Sequence, residues 1–273
     1  MNDESLPHSL RSPYPPLASP PTEKRPLHVV LATTGSVASI KTPLIIQRLL
    51  SYDHVRIQVI STKASQHFYN KEDIIKLSSN SNQSPFASSS KHHPVFDNEY
   101  LVKSLAAENA AAYEAENDGK SDVKYFDRGP RLQFWKDEDE WSTWKTVGDP
   151  ILHIELRRWA DIVLIAPCSA NTLAKIHAGL CDDLLTSFLR ALSPSTPIYL
   201  FPAMNTLMHM HPLTDVHVRF AEDILGYHIL GPIQKRLACG DLGNGAMLEW
   251  SDIVKVVVDK FGLILSSHEK GSQ

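Results

Sequence analysis

Hydrophobic positions recur along this chain with two periods. The runs LHVVLAT at 27–33, RIQVIST at 56–62, DIVLIAP at 161–167 and PIYLFPA at 197–203 are short, apolar and rich in β-branched residues. That is the pattern of strands buried on both faces. YHILGPI at 227–233 predicts a further strand. Between the strands, apolar residues fall three and four apart, the spacing of amphipathic helices. They do so in SIKTPLIIQRLL at 39–50, DPILHIELRRWA at 149–160, NTLAKIHAG at 171–179 and DDLLTSFLRAL at 182–192. PLTDVHVRFAEDILG at 212–226 and WSDIVKVVVDKFGLIL at 250–265 repeat the spacing, and KASQHFYN at 63–70 predicts a short helix. Pro43 fits a first helical turn, and Asp149 with Pro150 reads as an N-cap followed by the first helical position. Strands alternating with helices predict an α/β fold: a doubly wound parallel sheet with helices on both faces, in a single domain.

Two stretches break this rhythm. Residues 1–26 contain seven prolines, and proline donates no ladder hydrogen bond, so they predict a disordered arm. Residues 71–122 are Ser-rich, then Ala-rich and acidic, which predicts a mostly disordered surface insertion. Its Ala-rich part would form at most a lone helix, marginal in isolation. The ordered domain then spans 27–265, with 266–273 as a tail.

Composition narrows the function classes. A 42% hydrophobic content suffices for a core, and the formal charge of −4 argues against nucleic-acid binding or an anionic membrane surface. No apolar run approaches the roughly 18 residues of a spanning helix, and the N-terminus lacks a basic-then-apolar leader. Cys168, Cys181 and Cys239 form no CxxC, so neither a disulfide framework nor a zinc knuckle is expected. The cytoplasm is the default compartment. His209, His211 and His217 cluster, but no carboxylate or cysteine spacing completes a metal site, so no metal is expected.

Candidate chemistry gathers where strands end. Thr34-Gly35-Ser36 joins the first strand to the first helix, where glycine permits close backbone approach and helix-start N–H groups suit a phosphate. Ser61-Thr62-Lys63 follows the second strand. Ser169 and Asn171 can cap the helix near Thr172, and Ala203-Met204-Asn205-Thr206 ends another strand. Parallel strands put these turns on one edge of the sheet, where a crevice ligand belongs. His153 lies at the border of an apolar helix arc, as a partly buried structural residue or as a base; Glu155 and Arg158 fall inside that arc and can pair. Cys239 lies in KRLACGDLGNGAM, a glycine-dense flap in which Lys235 and Arg236 would favour the thiolate. Cys168 and Cys181 read as core residues.

Six segments in order resemble one known family: GSVASIK at 35–41, LHIELRRWAD at 152–161, APCSANTLAKI at 166–176, GLCDDLLT at 179–186, PAMNTLM at 202–208 and RLACGDLGNGAM at 236–247. The family is that of the homo-oligomeric flavin-containing cysteine decarboxylases, including the eukaryotic enzymes that act on 4'-phosphopantothenoylcysteine. The resemblance covers about residues 27–68 and 131–262. It implies a flavodoxin-like, Rossmann-type fold. FMN would lie on Gly35, Ser36, Val37, Ser61, Thr62, Lys63, Phe68, Ser169, Ala170, Asn171, Thr172 and Ala203. It also implies a homotrimer, or a mixed trimer with paralogues, with active sites between subunits. The implied reaction is oxidative decarboxylation of 4'-phosphopantothenoylcysteine to 4'-phosphopantetheine in coenzyme A synthesis. His153 and Cys239 would be catalytic. Asn205, Arg158, Arg236 and Ala238 would bind substrate. Related fungal halotolerance proteins inhibit a type 1-like Ser/Thr phosphatase, which gives a second reading and a second partner. The sequence departs from the family at His209, where tryptophan is frequent, and at Cys168, where leucine is common.

Overall fold

The computed structural model describes residues 10–72, 74, 98–118, 130–142, 144–236 and 242–266. The apolar runs become adjacent parallel strands: β1 (Leu27–Thr33), β2 (Val55–Ser61), β4 (Ile162–Cys168) and β5 (Ile198–Pro202). Two edge strands complete the sheet, β3 (Leu132–Trp135) beside β2 and β6 (His228–Ile229) beside β5. The order is β3-β2-β1-β4-β5-β6, all parallel. Without β3 this is the flavodoxin-like order; with β3 it is the longer doubly wound order, and in both the strand order reverses between β1 and β4. The half-polar run RLQFWK gave no strand signal for β3. YHILGPI contributes only two residues, those of β6, to this sheet.

Every residue of β1, β2 and β4 is buried, as a sheet covered on both faces requires. One core holds Leu27, Val29, Leu31, Val55, Ile57 and Val59 against α1 (Thr42–Leu50) and the C-terminal helix, α9 (Trp250–Phe261). The other holds Val30, Ala32, Ile60 and Ile165 against helices of the opposite face. These include α4 (Leu152–Trp159), α5 (Ala170–Ala178) and α6 (Leu184–Ala191). Pro43 lies in the first turn of α1, as expected. Gly262, at φ +61°, ends α9, so GLIL leaves the helix and Leu265 bridges to Tyr52 instead.

The two irregular stretches differ from the sequence expectation. Within 71–122, residues 98–118 form α2 (Asn98–Asp118), and it is not a lone helix. Val102, Leu105, Asn109 and Ala112 make a buried stripe against α4. Burying Val102 and Leu105 adds about 1.5–3 kcal/mol each, which offsets the marginal stability of the helix alone. Residues 75–97 and 119–129 lie outside the described residues.

The Pro-rich arm, described from Leu10, is docked rather than loose. Tyr14 is buried, and Arg25 makes a bidentate pair with Asp161 at 2.8 and 2.5 Å. Arg25 Nε also donates to the Pro15 carbonyl, and its guanidinium lies 5.0 Å from the Tyr14 ring centroid. Proline removes ladder donors but leaves side chains free to anchor an extended backbone.

The cap of α4 also differs. The helix begins at Leu152 with Ile151 at the N-cap position. Asp149 accepts the backbone N–H groups of Lys145 and Thr146 in the preceding turn, and those bonds hold its carboxyl below the usual range. Cys181 is exposed, against its core reading, whereas Cys168 is buried and desolvation pushes its thiol far up.

Candidate functional site

The loops after β1, β2, β4 and β5 share the carboxyl edge of the sheet, and their residues lock together. Thr34 Oγ1 donates to the Pro167 carbonyl and accepts the Ser169 N–H, both at 2.8 Å, across the β1/β4 switch point. Thr62 donates its N–H and its hydroxyl to the Thr33 carbonyl, each at 3.2 Å. Gly35 lies so close to the β2 loop that a Cβ there would meet the Ala64 Cβ at 2.7 Å. Only glycine lets these two turns approach as they do.

Of the predicted cofactor residues, Ser36 is extended and caps the 3₁₀ turn Val37–Lys41. Val37, Lys63 and Asn171 are exposed, and Thr62, Phe68 and Ala170 are half-buried. Ser169 caps α5, its Oγ accepting the Thr172 N–H. Asn171 makes no cap, because the helix starts before it at Ala170. Ser61 is buried with its hydroxyl 2.6 Å from Tyr69 OH, so it shapes the loop from within. Ala203 is buried and donates its N–H to the Cys168 carbonyl.

Asn205 is exposed and caps α7 (Thr206–Met210), its Oδ1 accepting the Met208 N–H at 2.8 Å. That bond uses the amide oxygen and leaves the NH2 as a donor. Asn205 borders a cavity of about 400 Å3 with Ala170, Leu207, His211, Leu213 and Thr214. Leu213 and Thr214 belong to α8 (Pro212–Arg219). His177 stands beside His217, ring centroids 4.6 Å apart. Among the described residues no group of three His, Cys, Asp or Glu is placed to hold a metal ion.

The glycine-dense flap is an antiparallel hairpin, β7 (Ile233–Arg236) with β8 (Leu242–Ala246). Met204 donates its N–H to the Gly245 carbonyl at 2.9 Å, and a Cβ on Gly245 would collide with the Met204 carbonyl oxygen. The hairpin is therefore seated on the segment that presents Asn205. Arg236 ends β7; its side chain, Ala238 and Cys239 lie outside the described residues. Lys235, expected to favour the thiolate, is ion-paired with Glu249 instead.

His153 stands apart from these loops, in the first turn of α4. That helix returns from the carboxyl edge of β3 to the start of β4, so its first turn lies toward the carboxyl edge. The ring Nδ1 is 2.5 Å from Glu140 Oε1, and Glu140 Oε2 accepts the His153 backbone N–H at 3.1 Å. Glu140 belongs to α3 (Asp137–Ser142). Nothing in the acidic run DEDE singles it out from its neighbours in sequence. Glu155 and Arg158 pair as expected, at 3.0 Å, with Glu155 buried. Arg158 borders a cavity of about 350 Å3 with Ala106, Pro150, Ile151 and Ile154. The Arg158 and Asn205 cavities share no residue, and His153 lines neither. Within one chain, the described residues do not bring His153, Arg158 and Asn205 into one pocket.

Comparison with known proteins fits this geometry. The flavoprotein family model matches residues 17–262. A phosphopantothenoylcysteine decarboxylase of Mus musculus is 34% identical over 94% of this chain and 96% of its own length. A probable thymidylate synthase of Schizosaccharomyces pombe is 39% identical over 86% of this chain, but the chain spans only 29% of that protein. A cysteine-to-serine variant of a PPC decarboxylase, complexed with pantothenoylaminoethenethiol, superposes with a TM-score of 0.63 at 37% identity, over 87% of this chain and 100% of that one. The FMN binding protein AtHal3 superposes with a TM-score of 0.61 at 37% identity, over 87% and 98%. The strand order, the interlocked turns and these likenesses agree, and the chain belongs to the flavoprotein family, among the phosphopantothenoylcysteine decarboxylases.

Proposed function

We propose that this chain binds FMN and decarboxylates 4'-phosphopantothenoylcysteine to 4'-phosphopantetheine, a step of coenzyme A synthesis. The observation that carries the reading is the close seating of Gly35 on Ala64, which packs the β1 loop on the β2 loop beside the switch point, in a chain so similar to a PPC decarboxylase. A cradle that tight brings backbone N–H groups of two loops against one ligand, which suits the FMN phosphate. Gly35, Ser36, Val37, Thr62, Lys63, Phe68, Ala170, Asn171 and Ala203 would hold the cofactor, with Ser61, Ser169 and Thr172 fixing the loops around it.

A β-thiol carboxylate has no electron sink for direct loss of CO2. FMN, when bound, supplies a two-electron oxidation of the thiol-bearing carbon and returns the electrons afterwards. The chain's part is positioning and proton movement. His153 offers its Nε2 as the proton acceptor for the oxidative half. The Asn205 NH2 donates to the substrate carboxylate. Cys239 delivers a proton to the enethiol carbon after CO2 leaves. Arg158 orients, and Arg236 and Ala238 close over the substrate. The sum is loss of one CO2 and uptake of one proton, so no NAD(P)H is consumed.

The separation of His153 from the Asn205 cavity supports a trimer in which each active site lies between subunits. Two groups of exposed apolar residues support it further: Trp141, Trp144, Val147 and Ile151, close in sequence to His153, and Leu207, Met210, Leu213 and Val216, close in sequence to Asn205. A group of each kind on every chain suits a closed head-to-tail ring, in which the first group of one chain meets the second of the next. The free thiols of Cys168 and Cys181 suit the cytoplasm. The phosphatase-inhibiting alternative gains nothing from the described residues.

The test is direct. Purified protein should be yellow and trimeric, should release FMN on denaturation and should convert 4'-phosphopantothenoylcysteine to 4'-phosphopantetheine. Protein that stays colourless after incubation with FMN, or that holds FMN without releasing CO2, overturns the proposal.

A further inference from the structure

Both oxygens of the Glu140 carboxylate engage one residue. Oε2 accepts the His153 backbone N–H at 3.1 Å, and Oε1 lies 2.5 Å from Nδ1 of the same residue. The Glu140 side chain is 7% exposed, against 24% for the imidazole. The first bond ties the start of α4 to α3, and the second fixes the ring about its own axis. The neighbouring acids are committed elsewhere. Asp139 Oδ2 accepts the Lys136 N–H at 2.9 Å, and Asp137 Oδ1 accepts the Leu184 N–H at 3.0 Å at the start of α6.

An ionised carboxylate can only accept, so Nδ1 must carry the hydrogen. The lone pair of the neutral ring is then on Nε2, which faces away from α3. Without the carboxylate the ring could turn over and place its hydrogen on either nitrogen. We propose that Glu140 is a positioning residue for the reaction: it holds His153 as the Nδ1–H tautomer with Nε2 presented to the substrate. This rests on the reading of His153 given above.

The experiment uses the FMN-loaded protein, its Glu140→Gln and Glu140→Ala variants, and His153→Asn as control. Glu140→Gln is near-isosteric but uncharged. It should lower kcat by at least about 10-fold, the lower end of the loss when the carboxylate that orients an imidazole is removed, with KM within about twofold and FMN content unchanged. Formate can occupy the place of the missing carboxylate in Glu140→Ala and should raise its rate at least about fivefold, with no effect on His153→Asn. Nitrogen-labelled histidine spectra, assigned by difference from His153→Asn, should place the hydrogen on Nδ1 in the native protein and show a mixture of the Nδ1–H and Nε2–H tautomers in Glu140→Ala. Should Glu140→Ala fail to fold, the kcat and KM of Glu140→Gln decide alone. A Glu140→Gln kcat within about twofold of native, beside an inactive His153→Asn, overturns the inference about Glu140 and leaves the reading of His153 standing. A fully active His153→Asn overturns that reading and this inference with it.

Discussion

The Tyr14 hydroxyl donates to Asn109 Oδ1 at 2.9 Å, joining the Pro-rich arm to the inserted helix across 95 positions of sequence. Asn109 passes the connection on. Its Nδ2 donates to Glu155 Oε2 at 2.7 Å and to the Glu155 carbonyl at 3.1 Å, and Glu155 accepts from Arg158 on its other oxygen. The arm and α2 thus brace the helix that carries His153, at a buried carboxylate that needs every donor it has.

Removing a donor from that carboxylate should be costly. Asn109→Ala leaves Glu155, 4% exposed, without its buried partner. The expected loss is about 2–3 kcal/mol in urea unfolding, whereas Tyr14→Phe, which removes one neutral bond, should cost about 1 kcal/mol. Equal small losses from both would mean that solvent reaches Glu155 and that α2 is not a brace.

Acid should loosen the same region. His28 is buried, stacked on Trp159 at 4.3 Å with the Tyr14 ring edge-on at 4.8 Å. Burial, then Arg25 and Arg56, hold its pKa well below the ordinary 6.5. The folded protein therefore resists the proton that the unfolded chain accepts. Stability from this residue is complete above about pH 6.5 and falls as pH drops below it. His28→Phe keeps the stack and removes the titration. It should cost about 1 kcal/mol at neutral pH through loss of the bond between His28 Nδ1 and the Trp159 carbonyl at 3.0 Å, yet lose less than the native protein between about pH 6.5 and pH 5. Parallel stability curves would clear His28.

Gly35 and Ala64 make a paired test of the cradle. Gly35→Ala puts two Cβ atoms 2.7 Å apart and should expel FMN, with about 1–3 kcal/mol of lost stability from overpacking. Adding Ala64→Gly removes the opposing atom and should restore most of both. Failure of the double variant to recover FMN would assign the glycine a role other than close approach.

The fold was legible where burial on both faces writes itself as an unbroken apolar run. LHVVLAT and DIVLIAP read as interior strands, and once they were parallel, Gly35, Thr62, Ser169 and Asn205 had to share an edge. Elements that bury through small or polar residues left a weaker trace. The stripe Val102, Leu105, Asn109, Ala112 has helical spacing, but two of its four members are alanine and asparagine, so composition read as solvated chain. The anchoring of Tyr14 and Arg25 depends on Asn109 and Asp161, which no local window contains. Asp149 had two sets of donors within reach and took those of the turn. Glu140 is one of four consecutive acids, and only the crossing of α3 with α4 selects it.

Asn205 has two duties that one substitution can separate. Its Oδ1 caps α7, and its NH2 is the proposed contact for the substrate carboxylate. Aspartate caps a helix as well as asparagine and adds a favourable charge at the positive end. Asn205→Asp should therefore stay within about 0.5 kcal/mol of native stability. The same change replaces a donor by an anion facing an anion. A like-charge pair in place of a charge-assisted hydrogen bond is expected to cost about 3 kcal/mol in productive binding, roughly a hundredfold in kcat/KM. FMN content should not change, because in this loop the proposed cofactor contact is Ala203, not Asn205. An Asn205→Asp protein that is stable, yellow and fully active would show that this amide serves the helix alone, and the substrate carboxylate would need another partner.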